Sequence, residues 1–164
     1  MTPALASLYQ GIILEHNARP RNCGPLTPCT HQALAQNPLC GDTVTLRLRL
    51  DAGAIVAAAF EGDGCALCRA SASLLTLAVT GCTPTEATAL ADALDALVSP
   101  ASDPRPEAEE SRLGDLVALR GVRDVPARRR CATLPWEALR AALAASLQPA
   151  PAALGSVSPP PHDP

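Results

Sequence analysis

The residues with the clearest chemical potential are a thiol and a carboxylate, Cys40 and Asp42, on either side of Gly41. A glycine here permits a tight or left-handed turn, so the two flanking side chains can converge instead of diverging as they would along a strand. We expect two further cysteines, Cys65 and Cys131, to join them. Each stands just ahead of a predicted helix, where the positive end of the helix dipole favours the thiolate form.

Three thiolates and one carboxylate are a plausible ligand set for Zn²⁺, which takes four tetrahedral ligands in proteins. The alternative is that these cysteines are small buried hydrophobic residues, since free cysteine is among the most buried residue types. Cys40, in a loop beside glycine and aspartate, departs most clearly from that alternative. For Cys23, Cys29 and Cys82 we accept this alternative or interpret them as incidental surface thiols.

Cys65 and Cys68 have the two-residue spacing of a thioredoxin-like dithiol. That kind of site follows a strand in an alternating β/α arrangement, whereas here an antiparallel hairpin is predicted to precede it. We therefore interpret Cys68 as a spare thiol or an alternative metal ligand.

The elements that must position these residues begin with a strand pattern after Asp42. Apolar residues alternate with polar ones from Val44 to Leu50, and the turn at 51–53 leads into a second strand over 55–60. A weaker pattern allows a further short strand over 31–35. Because the Cys40 loop precedes this hairpin and Cys65 follows it, both cysteines should lie at the same end of the sheet.

Apolar residues at helical spacing predict the remaining elements. Helices are expected over 3–16, over 66–79, from the capping box at 83–86 to residue 98, over 113–119 and over 133–147, with an exposed linker at 100–110. Cys131 would stand just before the last helix. His16 would end the first one, where the dipole favours a cation. We expect one domain over 1–147, with a helical and acidic insertion at about 83–112, and a disordered proline-rich tail over 148–164.

Composition limits the partners that the chain can take. The formal net charge is −3, all thirteen basic residues are arginine, and only three residues are aromatic, so nucleic acid is not expected as a partner. No apolar run is long enough for a membrane span and no secretory signal begins the sequence. We therefore expect a cytoplasmic protein that does not bind membranes, whose seven cysteines are thiols or metal ligands and do not form a disulfide framework.

Several stretches in fixed order resemble the IscU/NifU-N superfamily, and most closely its SufU branch. They are Leu8-Tyr9 through Pro20-Arg21-Asn22-Cys23-Gly24, Asn37-Pro38-Leu39-Cys40-Gly41-Asp42, Phe60-Glu61-Gly62-Asp63-Gly64-Cys65, Ala70-Ser71-Ala72-Ser73 and Cys131-Ala132-Thr133-Leu134. The long segment between Cys65 and Cys131, and Arg130 where the scaffold branch has histidine, are similar to SufU proteins. Cys68 departs from the family, which usually has a small hydroxyl residue there.

The resemblance implies an α+β fold, an IscU-like single domain in which a small antiparallel three-stranded sheet packs against about five helices with a metal site at one end. It also implies Zn²⁺ held by Cys40, Asp42, Cys65 and Cys131, with Cys40 as sulfur acceptor and Arg128 in a supporting role. The implied partners are a SufS-type cysteine desulfurase, which uses pyridoxal phosphate, and a downstream iron–sulfur assembly scaffold. This would make the protein a sulfurtransferase. The alternatives are a scaffold that carries a transient iron–sulfur cluster, and a structural zinc module that only docks on the desulfurase.

Overall fold

Three strands form one antiparallel sheet in the order β1-β2-β3. In the computed structural model, which describes residues 2–101 and 106–145, β1 spans His31–Asn37, β2 spans Asp42–Asp51 and β3 spans Ala54–Glu61. The sheet therefore matches the prediction, and β1 is longer than the short strand expected at its position. The turn between β2 and β3 has positive φ at Ala52 and Gly53, as a type I′ hairpin turn requires.

Helices surround this sheet, and most of them match the predicted bounds. They are α1 at Pro3–Ala18, α2 at Ala66–Val79, α3 at Pro84–Val98, α4 at Glu107–Glu110 and α5 at Pro126–Ala144, with a 3₁₀ segment at Ser111–Asp124 between α4 and α5. The capping box that opens α3 is present. The last residues of the predicted linker turn into α4 instead of remaining extended.

Helix α5 begins seven residues earlier than the sequence predicts, and this changes the position of Cys131. Pro126 occupies the first turn, where its missing N–H costs nothing. The following arginines are compatible with a helix but carry no apolar periodicity, so the pattern alone placed the start at Thr133. Cys131 consequently lies in the second turn of α5, and the expectation that it stands ahead of the helix is wrong.

The core lies between the sheet and helices α2 and α5. Helix α5 packs against β1 and β2, while α2 packs against β3, α1 and α5. The apolar face of α3 is also buried, so this part of the predicted 83–112 insertion contributes to the core. None of the helices within the described ranges is long and apolar enough to cross a bilayer. The expected tail at 148–164, the predicted end of the last helix at 147 and linker residues 102–105 fall outside the described residues.

His16 is buried, contrary to the expectation of a cation at a helix end. Its Nδ1 atom forms a 2.7 Å hydrogen bond with the Ser73 hydroxyl on α2. Burial, followed by the positive charge of Arg21, lowers the pKa of His16, while Asp115 and Glu15 act weakly in the opposite direction. The ring therefore serves as a neutral buried link between α1 and α2.

This burial predicts that acid destabilises the protein through His16. An unfolded histidine gains its proton near pH 6.5, whereas the folded one resists protonation, so stability is present above that pH and is lost as the pH falls. Urea unfolding at about pH 7.5 and about pH 5.5 should show a loss of at most about 1.4 kcal/mol per pH unit from this one group. His16→Gln should show a smaller loss than the wild type. An identical loss in both proteins would contradict the prediction.

Candidate metal centre

Cys40 lies in the loop that closes the β1–β2 hairpin. Asn37, the last residue of β1, is buried, and its side-chain oxygen accepts a hydrogen bond from the Leu39 N–H at 3.2 Å. Its carbonyl accepts a second hydrogen bond from the Gly41 N–H at 2.8 Å. Gly41 has φ +77°, a left-handed conformation, which is one of the two that glycine permits at this turn. The loop thus presents Cys40 and returns the chain to Asp42.

The segment after β3 brings Cys65 to the same end of the sheet, as predicted. The Thr43 N–H donates to the Asp63 carbonyl at 2.7 Å, so this segment runs against the start of β2. Gly62 is required there, since a Cβ at this position would collide with the Thr43 carbonyl. Cys65 then occupies the N-cap position of α2, and its N–H donates to Asp42 Oδ1 at 3.3 Å.

Helix α5 brings Cys131 to the cluster. Cys131 is 2% exposed, and α5 is tied to α2 by a buried polar contact one residue further on. The Ser71 hydroxyl donates to the Ala132 carbonyl at 2.6 Å and accepts from the Trp136 indole N–H at 3.1 Å. Arg130, which directly precedes Cys131, donates to the Gln36 carbonyl at 3.4 Å, next to the Cys40 loop.

Three of the four expected ligands converge closely. The Sγ atoms of Cys40 and Cys131 and a carboxylate oxygen of Asp42 all lie within 4.8 Å of one another. Cys65 is not part of this group, but it adjoins the group through its N–H to Asp42 and through a hydrogen bond with Cys131. Burial, followed by that hydrogen bond, raises the pKa of Cys131.

The Asp42 carboxylate supplies a test of whether a metal fits this cluster. Asp42 is 6% exposed, and its Oδ2 atom is buried without a hydrogen-bond partner among the described residues. A buried oxygen without a partner is costly unless another group compensates it. A cation bound by Cys40, Asp42 and Cys131 would compensate this oxygen, and a soft thiolate set with one carboxylate suits Zn²⁺.

The members of the cluster differ in their access to solvent. Cys40 is exposed and Cys65 half-buried, whereas Cys131 and Asp42 are buried. Leu39, beside Cys40, is 90% exposed. A large partner can therefore reach the thiol of Cys40 without disturbing the core.

Two further residues from the sequence analysis, Arg128 and Cys68, lie near the cluster in sequence but differ in exposure. Arg128 is exposed in the first turn of α5, three positions before Cys131, and the structure gives no side-chain contact between it and the cluster within the described ranges. Cys68 is buried beside the cluster, and sequence reasoning left its role open. The two-residue spacing from Cys65 was the signal for its proximity, because residues three positions apart share a helix face.

The fold and the cluster together define an IscU-like domain, a small α+β unit with thiols and a carboxylate at one end of its sheet. The model of the NifU-like N terminal domain matches residues 8–145, and the chain belongs to this family. Two curated relatives show how its members are named. The chain is 38% identical over 140 residues to the zinc-dependent sulfurtransferase SufU of Bacillus subtilis (strain 168), which covers 85% of this chain and 92% of that protein.

The second curated relative carries a different description. Over 139 residues the chain is 37% identical to the iron–sulfur cluster assembly scaffold protein IscU of Streptococcus pyogenes serotype M1, covering 85% of this chain and 84% of that protein. Solved structures agree with the fold. The putative scaffold protein for the SUF system of Fervidobacterium islandicum AW-1 has a TM-score of 0.75 at 27% identity, covering 87% of this chain and 99% of that one. A hypothetical protein solved at 2.3 Å has a TM-score of 0.76 at 35% identity, with coverage of 84% and 98%.

Asp42→Asn tests the role of the carboxylate. The amide keeps the size of the side chain and an oxygen that can accept from the Cys65 N–H, but it replaces the carboxylate oxygen that has no partner. We expect zinc affinity to fall by at least about 10-fold, measured by competition with a chromogenic chelator. The unfolding midpoint of the metal-free protein should change little. Unaltered affinity would exclude Asp42 as a ligand.

Proposed function

We propose that this protein is a zinc-dependent sulfurtransferase, which accepts sulfur on Cys40 from the persulfide of a SufS-type cysteine desulfurase and supplies it to iron–sulfur cluster assembly. The observation that carries this proposal is the exposure of Cys40 within a cluster whose other members are buried or half-buried. The naming of the Bacillus subtilis relative as a zinc-dependent sulfurtransferase supports it.

Each residue of the cluster has a role in this proposal. Asp42, Cys65 and Cys131 would hold Zn²⁺ together with Cys40, and when bound the ion keeps thiols deprotonated without any redox change of its own. Cys40 then attacks the outer sulfur of the donor persulfide. A bond forms between that sulfur and Cys40 Sγ, the sulfur–sulfur bond of the donor breaks, and the donor cysteine leaves as a thiolate. No external oxidant or reductant is needed.

The surroundings of Cys40 are suited to docking. Leu39 offers an exposed apolar side chain beside the thiol. Arg128 lies on α5 one helical turn before Cys131, and Arg130 is held next to the loop through the Gln36 carbonyl. Exposed guanidinium groups on this side would select an acidic surface on the desulfurase, a pyridoxal phosphate enzyme. We further propose that the protein acts in the cytoplasm and delivers sulfur to a separate assembly scaffold.

The second candidate function is that of a scaffold on which an iron–sulfur cluster is built transiently. The description of the Streptococcus pyogenes relative favours it, and so does the presence of three cysteines at one site. Metal content separates the two functions. A sulfurtransferase should be purified with one zinc ion per chain and no visible iron–sulfur absorbance, whereas a scaffold should hold a reconstituted cluster and transfer it to an apoprotein.

The deciding experiment mixes the zinc-loaded protein with a cysteine desulfurase and cysteine, then maps the added sulfur by mass spectrometry. A mass increase of one sulfur atom on the peptide that contains Cys40 supports the proposal. Persulfide on another cysteine, or none while the desulfurase turns over normally, would overturn it.

A further inference from the structure

Cys68 is a further thiol beside this site, and the proposed function does not use it. It lies in the first turn of α2, three positions after Cys65, and it is 1% exposed. A Cβ built on Gly64 would be 3.1 Å from the Cys68 Sγ atom and 3.6 Å from the Asp42 Cγ atom. The thiol and the carboxylate therefore lie on two sides of one small space, which the glycine leaves free of any side chain.

The charged groups around Cys68 are those of the cluster. Burial has the largest effect and raises the pKa of Cys68, and Asp42, Cys65, Cys131 and Cys40 each raise it further. These effects agree with the placement of Cys68 beside Asp42, across the space at Gly64.

Cys40 and Cys68 differ in how they are held. Cys40 sits on a four-residue loop between two strands, with left-handed Gly41 beside it and exposed Leu39 before it. Cys68 is fixed on a helix whose inner face is packed in the core. A ligand that must leave the metal to react belongs on the loop, and a ligand that must remain belongs on the helix.

We propose that Cys68 is a reserve metal ligand, which takes the place of Cys40 beside Asp42, Cys65 and Cys131 while Cys40 carries sulfur. This inference rests on the zinc site of the proposed function. In the exchange, Cys68 Sγ would take over from Cys40 Sγ as the third thiolate, beside Cys65 and Cys131. The proton lost by Cys68 passes to the donor thiolate released in the transfer, so the exchange involves no change of oxidation state. Three thiolates and one carboxylate remain available throughout.

Cobalt substitution tests this directly, because the intensity of the thiolate-to-cobalt charge-transfer band reports the number of bound thiolates. Cys40→Ser should bind one cobalt with the intensity of the wild type, since Cys68 supplies the missing thiolate. In Cys40→Ser/Cys68→Ser the intensity per metal should fall by about one third, and a chelator should remove zinc at least about 10-fold more readily. Equal intensity and equal zinc retention in these two variants would overturn the inference.

Cys40→Ser/Cys82→Ser is the matched control. Cys82 is half-buried, and its thiol donates a hydrogen bond to the Ala78 carbonyl, away from the cluster. This variant should therefore behave as Cys40→Ser does. Cys40→Ser/Cys68→Ala repeats the test if serine is poorly tolerated at the buried position. A wild type that binds no stoichiometric metal would refute the proposed zinc site as well. If the wild type binds metal with three thiolates, while Cys40→Ser and Cys40→Ser/Cys68→Ser both keep only two, the reserve ligand alone is refuted.

Discussion

Cys40→Ser should lower sulfur uptake from a cysteine desulfurase by at least about 100-fold, because a serine hydroxyl is a far weaker nucleophile than a thiolate and forms no persulfide. The substitution replaces one exposed atom on a loop, so the core and the hydrogen bonds of Asn37 should persist. Transfer of radiolabelled sulfur from cysteine measures the effect. The same assay in zinc-loaded and metal-free protein shows whether metal and nucleophile act together.

Cys23→Ser is the control for a general effect of losing an exposed thiol. Cys23 is exposed like Cys40, but its backbone pairs with that of Phe60 at the outer edge of β3, and it does not belong to the cluster. Its loss should leave sulfur uptake unchanged. Wild-type uptake by Cys40→Ser would refute the assignment of the acceptor.

The same variant separates sulfur transfer from a purely structural zinc site. A structural zinc ion can contribute about 10 kcal/mol or more to folding, so losing one of its ligands should cost much of the stability. With Cys68 in reserve, we expect the zinc-loaded Cys40→Ser protein to unfold within about 1 kcal/mol of the wild type, because metal binding stabilises the native state only to the extent that affinity is kept. A large loss of stability in Cys40→Ser, together with no sulfur uptake by the wild type, would favour the structural module.

The convergence of Cys40 and Cys65 could be predicted from the sequence because it depends on strand order alone. A period of two over Val44 to Leu50 and a short turn after it define a hairpin, and residues that precede and follow a hairpin must meet at one end. A turn at Gly41 could also be predicted, because glycine permits the tight or left-handed backbone that lets Cys40 and Asp42 converge, and the structure has the left-handed form.

The position of Cys131 could not be predicted in the same way. The first turn of α5 is charged and exposed, so it lacks the apolar pattern that marks a helix, and Pro126 was the remaining signal for its start. The missing partner of Asp42 Oδ2 and the burial of Cys68 depend on packing between α2, α5 and the sheet. The burial of His16 could not be predicted for the same reason, because its hydrogen bond to Ser73 joins residues far apart in the chain.

The second large effect is expected at Trp136, the largest of the fully buried side chains. Trp136→Ala should lower the free energy of unfolding by about 3–5 kcal/mol, since it opens a cavity in a core with few aromatic side chains. It also removes the indole N–H that donates to Ser71. Chemical denaturation of the metal-free protein measures the loss. Leu77→Ala, at a half-exposed position on α2, should cost less than about 0.5 kcal/mol.

Trp136→Phe separates the polar contact from the volume. It keeps an aromatic ring but removes the donor to Ser71, so the cost in unfolding free energy should be nearer to about 1–2 kcal/mol.

Trp136→Phe should also weaken metal binding, by more than this small loss of stability would suggest. Pro135 has no N–H for the carbonyl of Cys131, four residues earlier, so α5 lacks one of its own hydrogen bonds where it carries this ligand. The hydroxyl of Ser71, oriented by the indole, therefore supports the backbone beside Cys131. Trp136→Phe should weaken cobalt affinity in the folded protein, and an affinity equal to the wild type would show that Cys131 is positioned without this contact.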